Sequence, residues 1–171
     1  MIYNREIKEI KERLDMSARA DKLKETYNLQ QHPEGGWFAE VYTAPFEKEG
    51  RPLAGSIYFL LDKGEISHFH QIDCDEIWYF HEGCGMKVTM ITKDGLTEFL
   101  LGNDVEKGQR AMVVIPKGAI FGAENLDDSA FTFVSCATTP NFKYEGFRLV
   151  SKDEIERDYP ELSAKIDYLA Y

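Results

Sequence analysis

His68 and His70 stand two residues apart within Ile66-Ser67-His68-Phe69-His70. Side chains alternate along a strand, so both imidazoles would project from one face. Glu76 follows with the same parity. If a neighbouring strand carries it, two imidazoles and a carboxylate meet in one pocket. Such a group suits two kinds of chemistry. With His68, His70 and Glu76 as ligands it holds a divalent metal (Zn, Ni, Fe or Mn) and leaves positions open for substrate. Without a metal, His70 takes a proton beside a carbonyl as general base, and Glu76 or Asp75 orients it.

Other residues extend that pocket. Glu34 lies in His32-Pro33-Glu34-Gly35-Gly36, where two glycines let backbone pass close to another element or a ligand. Glu34 then supplies a pocket carboxylate; otherwise the segment is a rigid turn feeding the next strand. Trp78, Phe80 and Phe121 either stack on a small organic ligand or fill the core. Arg51, Arg110 and Arg148 would favour an anionic ligand if any of them pointed inward. His81 has the opposite parity to Glu76 and is expected to face away.

The elements that must position these groups are mostly strands. Residues 1–28 read as helix, with Ile2, Ile7, Ile10 and Leu14 on one stripe and a second short helix over Ala20 to Tyr27. From Trp37 to about Val150, short β-branched and aromatic runs alternate with turn signals such as Asp62-Lys63-Gly64 and Asp94-Gly95. Ser151-Lys152-Asp153-Glu154 has the form of a capping box, and Pro160 separates two final helices. The expectation is an all-β sandwich or barrel over 29–150, preceded by a helical extension over 1–28 and followed by helices over 151–171 packed on the same domain.

Composition narrows the partners. The chain has 171 residues and a formal net charge of -10, which disfavours nucleic acid. No apolar run approaches the roughly 20 residues of a membrane helix. The charged start, MIYNREIKEIKERLD, lacks the apolar core of a secretory signal, so a cytoplasmic location is expected. Cys74, Cys84 and Cys136 form no C-x-x-C pair and are expected to be reduced. There is no G-x-S-x-G elbow, no G-x-x-x-x-G-K and no G-x-G-x-x-G, so nucleotide hydrolysis and dinucleotide redox chemistry have no support.

His68-Phe69-His70 with Glu76 through Gly83, and Pro116-Lys117-Gly118 through Asn125, resemble the two motifs of the cupins. Two departures stand out: five residues separate His70 from Glu76, and Phe121 occupies the position of the second motif's histidine. A nearer resemblance is to a branch of small cupins described as predicted sugar epimerases. Its segments are matched in order by His32 to Gly36, Ser56 to Leu61, Asp75 to Trp78, Val113 to Pro116, Phe121 to Glu124, Val134 to Cys136 and Pro140 to Phe142. The resemblance implies a jelly roll, a homodimer and a small-molecule ligand such as a sugar. It implies epimerase or isomerase chemistry through His70, for which Tyr58 and Tyr79 are candidate acids. A metal-dependent cupin enzyme and a non-catalytic binding protein are the alternatives.

Overall fold

The alternation of apolar and polar residues after Trp37 resolves into antiparallel strands, each with one face inward. The computed structural model describes residues 2–171, with side chains from residue 14 onward. Helix α1 (Ile2–Tyr27) precedes β1 (Gln30–Gln31), β2 (Trp37–Thr43), β3 (Glu47–Lys48), β4 (Arg51–Pro52), β5 (Gly55–Leu61), β6 (Ile66–Gln71) and β7 (Asp75–Gly83). There follow β8 (Met86–Thr92), β9 (Gly95–Leu101), β10 (Met112–Ile115), β11 (Ile120–Asn125), β12 (Thr132–Thr139) and β13 (Arg148–Leu149). Two helices, α2 (Lys152–Asp158) and α3 (Pro160–Ile166), lie beyond.

The strands form a six-stranded sheet in the order β1-β2-β5-β12-β7-β10 and a five-stranded sheet in the order β13-β6-β11-β8-β9. Neither sheet closes on itself, so the expected barrel is corrected to an open two-sheet sandwich flanked by helices. Among the described residues both sheets keep free edges, and an isolated bridge joins Leu101 to Arg110.

Phe59, Trp78, Met86, Val88, Phe121 and Val134 pack in the cluster between the sheets. Burying apolar surface there is the main source of stability. The outer faces are covered by helices. Ala20 and Leu23 of α1 pack with Leu60, Phe131 and Phe133, while Ile155 and Ile166 pack with Phe69 and Ile91. Consecutive residues Phe59 and Leu60 thus serve opposite faces, as the strand period requires.

Two expected helices at the start are one helix, because residues 15–19 contain no Pro or Gly to break it. The side chains of Ile2, Ile7 and Ile10 lie outside the described residues. Ser151 does cap α2, accepting from Glu154 N–H at 3.3 Å. The Glu154 carboxylate turns to Arg148 (2.8 Å) rather than back to the cap. Among the described residues no helix is long and apolar enough to cross a membrane.

Candidate functional site

The site begins with a turn. After β1, His32 N–H donates to Gly36 O and Gly35 N–H to His32 O, each at 3.0 Å. The turn is strapped to β6 by His68 N–H donating to Glu34 O at 2.7 Å. Gly35 permits this approach: its φ is +104°, and a Cβ there would stand 2.2 Å from the Ile66 carbonyl oxygen. The turn thereby drives Glu34 into the sandwich, where the residue is 7% exposed.

The second part is a bulge on β6. Against β11, Ser67 pairs with Ala123 but His70 pairs with Phe121, so β6 carries one extra residue. Gly122 faces this irregularity, and a Cβ on it would meet the Ser67 carbonyl oxygen at 2.7 Å. The extra residue breaks the parity that would have grouped the two histidines. Ser67 and His70 turn inward. His68 turns toward the C-terminal residues, with Nδ1 3.2 Å from Ala170 O and its ring against Tyr171. His68 therefore joins neither the expected ligand-binding set nor the expected metal set.

Inside, three groups converge on one carboxylate. Glu34 Oε2 lies 3.2 Å from His70 Nε2 and 3.2 Å from His32 Nδ1, and Ser67 Oγ donates to Oε1 at 3.0 Å. His70 Nδ1 sits 2.7 Å from the His68 carbonyl, which can only accept, so Nδ1 carries a proton. His70 Nε2 then faces a second acceptor, Glu34. A single proton must be shared across that contact, and without it the pair is a strong proton acceptor. Burial pushes the His70 imidazolium down against the pull of the Glu34 charge. Burial works against the Glu34 carboxylate too, but His70, His32 and Ser67 outweigh it and hold the group below the usual range.

Glu76 has the opposite setting. Inward-facing on β7 and 7% exposed, its carboxyl is raised from 4.5 to about 8, first by burial and then by the Glu34 charge. Trp78 and Cys136 favour its charged form but do not overcome burial. Glu76 is therefore a neutral acid at pH 7. It does not orient His70, a role that falls to Glu34. The buried indole N–H of Trp78 lies near the Glu76 carboxyl but has no acceptor within hydrogen-bonding distance.

These residues line one cavity together with His32, Phe38, Ile57, Thr138 and Tyr144. Measured to the centres of water-sized spheres its volume is about 70 Å³, roughly five times what one water needs. That space suits a small organic molecule.

Phe80 and Phe121 pack in the inter-sheet cluster and are not among the residues that line the cavity. Phe121 backs the site, its ring 4.0 Å from that of His70. Tyr58 packs on Tyr27 and Phe133 on the outer face, and Tyr79 is exposed, so neither candidate acid reaches the cavity. His81 is also outside, 2.6 Å from Ser135 Oγ. Sequence reading missed His32, Tyr42 and Tyr144. The His32-x-Glu34 spacing was a usable signal for the first; the tyrosines carried none.

The expected metal set of His68, His70 and Glu76 does not assemble. Both nitrogens of His70 are engaged, His68 faces away, and Phe121 replaces the second motif's histidine. Among the described residues no three His, Cys, Asp or Glu side chains are grouped to hold an ion. Elemental analysis of protein purified without chelator is expected to give well under one metal per chain. Near-stoichiometric metal, lost in His70→Ala, would overturn this.

Residues 21–150 match the family described as Cupin superfamily (DUF985). The chain is 26% identical over 165 residues to the uncharacterized protein YML079W of Saccharomyces cerevisiae, covering 84% of this chain and 82% of that one. It is similar to the crystal structure of protein SO0799 from Shewanella oneidensis, with a TM-score of 0.84 and 38% identity over 89% of this chain and 97% of that one. A hypothetical protein from Leishmania major gives a TM-score of 0.81 and 30% identity, covering 89% and 98% of the two chains. Oxalate decarboxylase from Bacillus subtilis, at 17% identity and a TM-score of 0.55, shares the fold alone.

Proposed function

The chain belongs to the cupin superfamily, and from that premise we propose that its cavity performs acid–base isomerisation or epimerisation of a small, sugar-like carbonyl compound. The observation that carries this reading is geometric: Glu34 lies 3.2 Å from His70 Nε2 and shares the cavity with Glu76, the first held below the usual carboxylate range and the second raised to about 8. Environments that push two titratable groups apart assign the acid and the base. The Glu34–His70 pair takes the proton beside the carbonyl. Glu76 donates to the oxygen as charge builds there. His32 and Ser67 hold Glu34 in place.

Incubating the protein with aldoses and ketoses in D2O tests this. At least one sugar should exchange its α-proton in a protein-dependent way, and His70→Ala should abolish the exchange while remaining folded. Saturable sugar binding with no exchange would instead leave the rival reading, a non-catalytic binding protein.

Glu76 also sets a pH dependence. Below about pH 4.5 the group is protonated both folded and unfolded. As pH rises, the unfolded chain releases the proton first, so the folded state loses relative stability until the folded group ionises at about 8. Glu76→Gln should therefore be more stable than the parent at pH 8, by an amount on the order of a few kcal/mol. Parallel urea titrations at pH 5 and pH 8 would check it; an equal effect at both would count against a buried neutral acid.

A homodimer fits the edge of the six-stranded sheet. Met112 and Val114 on β10 are 47% and 49% exposed, beside exposed Tyr79 on β7. A second copy would cover this apolar strip. Sedimentation should give a dimer mass, and Val114→Glu should shift it to monomer.

A further inference from the structure

Charge and aromatic rings are distributed unevenly around the cavity. Among the described residues, no lysine or arginine lines it. The arginines that could have favoured an anion are engaged elsewhere. Arg51 is paired with Asp73 at 2.7 Å and donates to Asn141 O at 2.6 Å. Arg148 is paired with Glu154 at 2.8 Å, and Arg110 lies over the Phe99 ring. The lining does include Glu40, Tyr42, Phe142 and Tyr144. Glu40 and Tyr42 are exposed on β2 and Tyr144 is exposed on the loop after β12, so they form the mouth. Phe142 meets Tyr144 edge to face, with centroids 5.0 Å apart and planes at 83°. The Tyr144 phenol is raised first by burial and then by the charges of Glu40 and Glu34, which puts both carboxylates within electrostatic reach of that ring.

Aromatic rings beside carboxylates, with no competing lysine or arginine, attract a positive ligand through the ring quadrupole and the charge together. Deeper in, Trp78 is 1% exposed, and its N–H lies near the Glu76 carboxyl but outside hydrogen-bonding distance of it. A buried donor of that kind is satisfied by an occupant that carries an acceptor oxygen.

The geometry points to a small hydroxylated or carbonyl-bearing organic cation as the cavity's ligand. Its ammonium group sits at the mouth among Glu40, Tyr42, Phe142 and Tyr144, and its oxygen reaches Trp78. This rests on the same cavity as the acid–base reading and names the charge class of ligand that reading leaves open. It disfavours phosphorylated and carboxylated compounds, because an anion would meet Glu40 and the Glu34 carboxylate with no lysine or arginine in the lining to offset them.

An isosteric series tests the charge alone. Choline, its neutral carbon analogue 3,3-dimethyl-1-butanol and the anion 3,3-dimethylbutanoate have similar shapes, and none is a sugar. Titrated by NMR at low ionic strength, choline should bind saturably and at least about tenfold more tightly than the neutral analogue. The anion should bind more weakly than either. Glu40→Gln should remove most of the preference for choline, and Tyr144→Leu should weaken choline more than the neutral analogue. The inference is overturned if the neutral or anionic analogue matches choline, or if choline shows no saturable binding up to about 100 mM, a range well beyond millimolar affinity. The two readings fail separately. Choline selectivity without α-proton exchange on any sugar would sink the acid–base reading alone. Exchange confined to anionic sugars would sink this one alone.

Discussion

Glu34→Gln is expected to lower α-proton exchange by at least about two orders of magnitude, the scale of a lost general base. Gln keeps the shape of the side chain, so the cavity should persist. What changes is charge. His70 Nδ1–H still donates to the His68 carbonyl, but Nε2 no longer faces a carboxylate and loses the partner that raises its proton affinity. His32 and Ser67 lose their shared anion as well. A second consequence is diagnostic. The Glu34 charge contributes to the raised setting of Glu76, behind burial, so removing it should move the alkaline limb of the rate profile below about 8. A structural role alone would lower the rate without moving that limb. Full exchange activity in Glu34→Gln would exclude the dyad as the base.

Gly35→Ala should be strongly disruptive for a single added methyl group. At φ +104° an alanine is strained, and its Cβ would stand 2.2 Å from backbone, the Ile66 carbonyl oxygen, which cannot swing aside. Overpacking and backbone strain together predict a loss of about 3 kcal/mol. For a domain of this size that is a fall in Tm of roughly 6–12 °C. Gly50 provides the control: its φ is +75°, but a Cβ there meets nothing within 4 Å. Gly50→Ala carries the conformational cost without the collision. The same methyl group at Gly35 would lift the turn from β6 and withdraw Glu34, so exchange activity should fall with stability. If thermal unfolding shows Gly35→Ala no worse than Gly50→Ala, the close approach does not hold the turn in place.

Much of the fold was legible because it rests on local chemistry. Period-two alternation placed nearly every strand of the sandwich, and Ser151 announced the start of α2. The hairpin marked by Asp94-Gly95 is present, with Gly95 opening β9 opposite Thr92. His70, Glu76 and Glu34 were identifiable as candidate site residues from residue type and spacing, and all three line the cavity.

What the sequence determined by itself was the sandwich, the helices on its flanks and a pocket containing a histidine and carboxylates. Those follow from periodicity and turn chemistry, which act between near neighbours. Tertiary structure alone decided which groups work together. The bulge on β6 is set by its pairing with β11 opposite Gly122, and one extra residue sent His68 to the outer face. Glu34 reaches His70 because a turn thirty-odd positions earlier docks on β6, a contact no local pattern encodes. Glu34 is set by His70, His32 and Ser67 and Glu76 by burial and the Glu34 charge, and all of these depend on three-dimensional distance rather than on position along the chain.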